Sequence, residues 1–185
     1  DAYSGAVLRR YLILTPRLLV DVFEVECSKP RQIDWVLHAI SDAVIPVNRS
    51  EPGEAASPGN ENGYEHLADG KQWKVNGPST WDFAARDGKR LRLFFAGPIS
   101  EEIFTAKGIG YTLGERVPAL LRRQKAKETR FVAACDLTGD GQWVRFIQWN
   151  DAKRAIEVTT TEGTLRAILS KSPEATSIKM EGGKQ

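Results

Sequence analysis

"LLVDVFEVECSKPRQIDWVLHA", residues 18–39, is the stretch that decides the fold class. Apolar side chains recur at every second position through most of it, and Val, Ile, Phe and Trp dominate. Those residue types suit a pleated surface, and the spacing is that of strands. Working outward, "AVLRRYLIL" (6–14) carries the same alternation and ends at Thr15-Pro16. Within the stretch itself, "SKP" (28–30) reads as a connection between strands over 18–27 and 32–39. Downstream candidates are "RLRLFFAG" (90–97), "EEIFTA" (101–106), "TRFVAACDL" (129–137), "WVRFIQW" (143–149), "AIEVTTT" (155–161) and "TLRAIL" (164–169). Short connections predict an antiparallel meander, with Glu162-Gly163 as a two-residue hairpin loop and Asp87-Gly88 as a similar turn. Helix evidence is confined to "PALLRRQKAK" (118–127), a short helix opened by Pro118 between flanks that read as strand.

Many runs are apolar on both faces. In "WVRFIQW", strict alternation sends Val144 and Phe146 one way and Trp143, Ile147 and Trp149 the other. Strands of this kind need a cover on each side, as stacked sheets provide. The expected fold is therefore all-β, an antiparallel β-sandwich of two stacked sheets. Residues 46–64, "PVNRSEPGEAASPGNENGY", lose all apolar periodicity and form a long irregular loop. A single sandwich domain over 1–170 followed by a flexible tail over 171–185 is the resulting organisation.

A length of 185 residues supports one well-filled core. A formal net charge of +2 supplies no field that would attract nucleic acid or an anionic membrane, so neither is expected as a partner. Charge is uneven, however. Glu51 to Asp69 holds five acidic residues and no Lys or Arg, whereas Lys107 to Arg130 holds seven basic residues against two acidic. The second stretch is either a solvated strand face or a contact for a polyanion. The chain starts at Asp1 and its single methionine is Met180, which implies a piece of a longer polypeptide. Cys27 and Cys135 are read as small buried side chains, with one disulfide as the alternative.

Chemistry-bearing motifs are sparse. Neither His38 nor His66 has a second His at helical metal-site spacing. Asp34 and His38 would share a strand face about 13 Å apart, too far to share a metal. No metal site and no cofactor are expected in this chain. "DLTGDG" (136–141) begins like a calcium loop, but Ile147 stands where the bidentate Glu should be, so a tight turn is expected. In "GYEHLADGKQWKV", Tyr64 and His66 would share a strand face, an acid–base combination with Lys71 close by to neutralise a carboxylate. Of the five tryptophans, Trp35, Trp143 and Trp149 sit in apolar runs that the core claims first. Trp73 and Trp81 are the candidates for stacking on sugar.

The order of segments resembles the C-terminal β-sandwich of the heparinase II/III-like polysaccharide lyases, which include alginate lyases. "RRYLILTPRLLVDVFEVECSKPRQIDWVLHA" looks like that domain's "R-x-L/I-x-L", "L-L-V-D-x-F" and "D-W-x-x-H" strands. "NGYEHLADGKQWKVNGPSTWDF" (62–83) resembles its "G-Y-x-H/Y-L" segment. "RLRLFFAGPISEEIFTAKGIG" and "VPALLRRQKAKETRFVAACDL" follow its pattern of a strand, a glycine-rich turn and an Arg-bearing strand. The likeness spans about residues 6 to 160.

This resemblance implies a parent enzyme that cleaves uronate-containing polysaccharide by β-elimination. Charge neutralisation and Tyr/His proton transfer are shared there between an N-terminal toroid and the early sandwich. The family's "H-x-H-A-D" and "H-N-T" type segments are absent here, so the chain by itself is expected to have no catalytic residue. A divalent metal such as zinc would belong to the parent. The implied partners are the toroid, upstream sandwich segments and an acidic polysaccharide, and the implied location is periplasmic or secreted. Candidate substrate contacts are Tyr64, His66, Lys71, Trp73, Arg122 and Arg123. His38 falls on a family strand position and is read as packing. Two other classes remain: a stand-alone carbohydrate-binding module and a structural interaction domain.

Overall fold

The computed structural model describes residues 3–47, 53–97, 101–112, 114–170 and 177–181. Two strands of 21 residues each, β2 (Leu18–His38) and β9 (Arg116–Asp136), run antiparallel along their whole length and organise the rest. Every other strand of the larger sheet hangs from this ladder. β1 (Ala6–Leu14) pairs with the first half of β2. Two arms attach to the opposite edge of β9. One is β3 (Ala43–Pro46), β6 (Ser79–Ala84) and β7 (Arg90–Phe95), joined at residues 133–136. The other is β4 (Glu54–Ala55), β5 (Ala68–Val75) and β8 (Glu101–Ile109), joined at 116–123. A second sheet contains β10 (Val144–Asn150), β11 (Ala155–Thr160), β12 (Gly163–Ile168) and β13 (Ser177–Glu181). All the pairings are antiparallel, and the fold is an all-β sandwich. β13, within the stretch assigned to a tail, pairs with β12.

The long ladder creases in the middle. Glu26 opposes Glu128, but the next pair is Arg31 with Ala126, so residues 27–30 of β2 face a single residue of β9. Extra residues on one strand bend it and increase its twist. The "SKP" segment is therefore a bulge inside one continuous strand and not a connection between two. The crease folds the large sheet onto itself. Asp21 and Trp35 lie on the same strand, fourteen residues apart, yet Trp35 Nε1 donates to Asp21 Oδ2 at 2.9 Å.

Alternation then fills two cores. Leu19, Phe23 and Val25 face inward between the folded halves, with Phe131, Ala133 and Cys135 beside them. Trp35 meets Phe95 edge-on at 5.5 Å and Trp73 meets Trp81 at 5.4 Å across the same space. The opposite parity, Leu18, Val20, Val22, Val132 and Ala134, faces the second sheet, where Ile147, Ile156, Val158 and Leu169 cover it. Apolar residues on both faces thus report a layer covered on both sides.

Several local expectations change. Residues 118–127 are strand, β9 being paired there with β8 as far as Arg123 and with β2 from Ala119 to Ala126. A bulge between Val144 and Phe146 breaks strict alternation, so Val144 and Ile147 share one core while Phe146 is 46% exposed. The hairpin loop is Thr161-Glu162, with Gly163 (φ 140°) already paired to Thr160. The "DLTGDG" turn holds as expected: buried Asp136 accepts bonds from the Thr138 and Val144 amides as the chain passes from one sheet to the other.

One charge lies inside the first core. Arg122 is fully buried, its guanidinium 4.2 Å from the Phe95 ring centroid and 5.3 Å from that of Phe131. Its Nε donates to Glu101 Oε2 at 2.9 Å, and Nη1 donates to the Val132 carbonyl at 3.2 Å. Nη2 also lies 2.9 Å from Oε2 but is not aligned for a hydrogen bond, and Glu101 Oε1 has no partner. Burial pushes the guanidinium's proton affinity down, and the Glu101 and Asp21 carboxylates oppose that push. Removing one member of such a pair strands the other charge. Arg122→Ala should lower stability by about 3–5 kcal/mol, read from the urea midpoint. Arg122→Met combined with Glu101→Leu should recover most of that loss, and a double variant no more stable than Arg122→Ala would refute the account.

Candidate functional site

The outer face of the second arm carries Asp34 and Arg123 opposite each other on β2 and β9. Strand geometry puts both side chains on one face, and they form a bidentate pair with both N–O distances 2.8 Å. The irregular segment after residue 52 is drawn onto this pair. Pro58 O accepts from Arg123 Nη1 at 2.6 Å, and the Tyr64 hydroxyl donates to Asp34 Oδ2. Arg123 also lies over the rings of Tyr64 and Phe104, at 5.4 and 5.0 Å. Phe104 and Leu121 beneath are buried as a result. Burial, followed by the Asp34 bond, pushes the Tyr64 phenol up to about 12, so it holds its proton and is poorly suited to act as a base.

Tyr64 and His66 lie on a 3-10 turn (Tyr64–His66) and not on a strand, because Asn62 and Gly63 are in the left-handed region and turn the chain there. His66 is exposed, with Glu65 3.7 Å away. The turn separates the acid–base combination expected from period-two spacing. Arg122, expected at a glycan-facing rim, lies in the core because its parity on β9 is that of Leu120.

Lys71 and Trp73 line a cleft of 370 Å³ between β3 and the β5–β8 arm, with Asp69 and Lys107 paired at 2.7 Å on its wall. Trp73 offers no free face on one side: a Cβ on Gly53 would sit 2.6 Å from the indole, so only glycine lets the backbone lie there. Its Nε1 donates to Thr105 Oγ1, and Trp81 is completely buried. Of the two tryptophans nominated for sugar stacking, Trp81 is a core residue and Trp73 is half-buried on the cleft wall. Trp143 and Trp149 are likewise half-buried, each carrying a guanidinium over its ring, Arg17 at 4.2 Å and Arg130 at 4.4 Å.

A groove of 420 Å³ runs between the two sheets along the open edge of β10, lined by Phe146, Gln148, Trp149, Arg130, Asp151 and Gly97 among others. Arg130 organises it. Nε donates to Glu24 and Nη1 to Asp151, both at 2.7 Å, and Asp151 also accepts from Trp149 Nε1. Glu24 further accepts from Arg154 Nη2 at 2.9 Å. Its two arginines hold the Glu24 carboxyl below its usual range against the opposing effect of burial. Sequence reasoning missed this groove because its residues come from β9, β10 and the following turn, with no common spacing.

His38 is exposed and lies over Gly108, where a Cβ would come within 2.8 Å of the imidazole, and partial desolvation there favours its neutral form. Cys27 and Cys135 are free thiols. Cys135 pairs with Leu19 and Cys27 lies eight residues further along β2, roughly 25 Å away, beyond the reach of a disulfide. Burial pushes the Cys135 thiol up to about 12. Among the described residues no three metal-ligating side chains converge, so a zinc ion has no fitting set of ligands there. Four of the seven basic residues between 107 and 130, namely Lys107, Arg122, Arg123 and Arg130, are engaged with internal carboxylates.

No family model matches the chain, and no curated protein matches it significantly.

The raised Tyr64 pKa has a consequence for stability. The folded state holds this proton more tightly than the unfolded chain, so its contribution is complete below about pH 10 and is lost as pH rises toward about 12. Tyrosinate absorbance of the folded protein should show one of its four tyrosines titrating late. Asp34→Asn should move that step down, and an unchanged titration would refute the link.

Proposed function

We propose that the chain is a non-catalytic β-sandwich that supports and contacts other parts of a larger polysaccharide-degrading protein. The observation that carries this reading is the internal use of the groups that could do chemistry. Asp34 pairs with Arg123 and Tyr64, Glu24 with Arg130 and Arg154, and Asp82 with Arg92, while Glu101 and Arg122 are buried against each other. A β-elimination site needs a neutralising cation, a base and an acid converging on one cleft. In the cleft between β3 and the β5–β8 arm Lys107 is paired with Asp69 at 2.7 Å, and no Tyr or His stands among the lining residues to transfer a proton beside Lys71. The order of segments supports a heparinase II/III-like lyase as parent, with the toroid as neighbour and a periplasmic or secreted location. Proton transfer and any zinc would then reside in that parent.

Purified protein should produce no unsaturated uronate from alginate, heparin or heparan sulfate. Turnover that follows the protein through purification and vanishes in His66→Ala would overturn the reading.

The groove at β10 favours a second reading, a carbohydrate-binding module. An exposed Phe146 and a half-buried Trp149 both line this groove, with planar polar groups from Arg130, Asp151 and Gln148, residue types that suit pyranose rings. Affinity electrophoresis in gels containing neutral or acidic glycans should then show retardation that falls in Phe146→Ala and Trp149→Ala. Equal mobility of all three proteins in every gel would exclude this second reading.

A further inference from the structure

We propose that the groove beside β10 selects an uncharged glycan and rejects an acidic one, a specificity that rests on the carbohydrate-binding reading and narrows it. The bulge between Val144 and Phe146 turns Phe146 out of the core-facing series and onto the groove. Its ring is 46% exposed and stacks on no other ring among the described residues. Arg130, by contrast, already lies over Trp149 at 4.4 Å. Phe146 is therefore the open apolar platform for the C–H face of a pyranose.

The charges around this platform cancel. Asp151, Arg130, Glu24 and Arg154 form one chain of ion pairs at 2.7, 2.7 and 2.9 Å, two charges of each sign. No other Lys or Arg lines the groove. The Trp149 bond and Arg130 hold the Asp151 carboxyl below its usual range, so it is ionised at neutral pH. A glycan carboxylate entering here would be the third on Arg130, and it would meet the 81%-exposed Asp151 side chain, a like charge. Hydroxyls meet no such penalty. Arg130 Nη1 and Trp149 Nε1 both donate to Asp151 Oδ1, and Gln148 spends its Nε2 on Glu157. Among the described residues Asp151 Oδ2 and Gln148 Oε1 stay open as acceptors and Arg130 Nη2 as a donor. Hydroxyl groups both donate and accept, so a sugar can serve all three, whereas an apolar protein surface would strand an ionised oxygen away from water.

Affinity electrophoresis of the full chain should show retardation by at least one of β-glucan, galactomannan and starch, unchanged by added salt and lost in Phe146→Ala. Alginate should cause no retardation that depends on Phe146. Asp151→Asn removes the repelling charge and frees Arg130 Nη1. That variant should bind the uncharged polymer about tenfold more weakly and gain salt-sensitive retardation by alginate, with an unchanged circular dichroism spectrum. Phe146-dependent retardation by alginate alone would overturn the uncharged assignment and leave the carbohydrate-binding reading standing. An Asp151→Asn protein that behaves like the parent in both gels would also overturn it. Free mobility in every gel would end the assignment and the reading together.

Discussion

The crease in the β2–β9 ladder, held closed by Arg122, is the constraint on which the molecule depends. One guanidinium issues from the first half of β9, ion-pairs with Glu101 at the start of β8, and donates to a carbonyl in the second half of β9. The rings of Phe95 and Phe131 lie against it. A charge in an apolar core is a poor way to gain stability, but it is a strict way to fix geometry, since few arrangements satisfy it. The fold-over then generates the first core and leaves the outer face of one half for the second sheet to cover.

The same economy of polar groups runs outward. Asp34 and Arg123 clamp the irregular segment around Pro58 and Tyr64 onto the second arm, shielding Phe104 and Leu121 from water. Glu24, Arg130 and Arg154 join the sheet containing β10 to the large sheet. These carboxylates and guanidinium groups act as fasteners between layers. Two surface features stand apart from these fasteners: the aromatic groove beside β10, with Arg130 and Asp151 on its wall, and the leucine-bearing edge of β1.

Among the described residues β10 lies at one end of the smaller sheet and β1 at one edge of the larger, whose other ends are β3 and β4, and unpaired edges template association unless guarded. A domain whose interior is this fully cross-linked but whose edges are bare is suited to being built into something larger. Support and glycan contact are compatible roles for such a body.

The sequence by itself determined the all-β class, the alternation that sorts most core residues between two faces, and the turn at 136–141. Period-two patterning is local, so it survives without coordinates. Only the tertiary structure decided where each face leads. "SKPRQIDW" reads as turn and strand; as a bulge it folds one strand back so that Trp35 reaches Asp21. Trp73 and Trp81 look solvent-facing beside Lys and Asp, yet the fold-over buries Trp81 and lays Gly53 on Trp73. Arg122 and Arg123 are neighbours in sequence, but strand parity sends one into the core and the other onto the outer face. Long-range closure makes these choices, because burial of a given face depends on which distant strand comes to cover it.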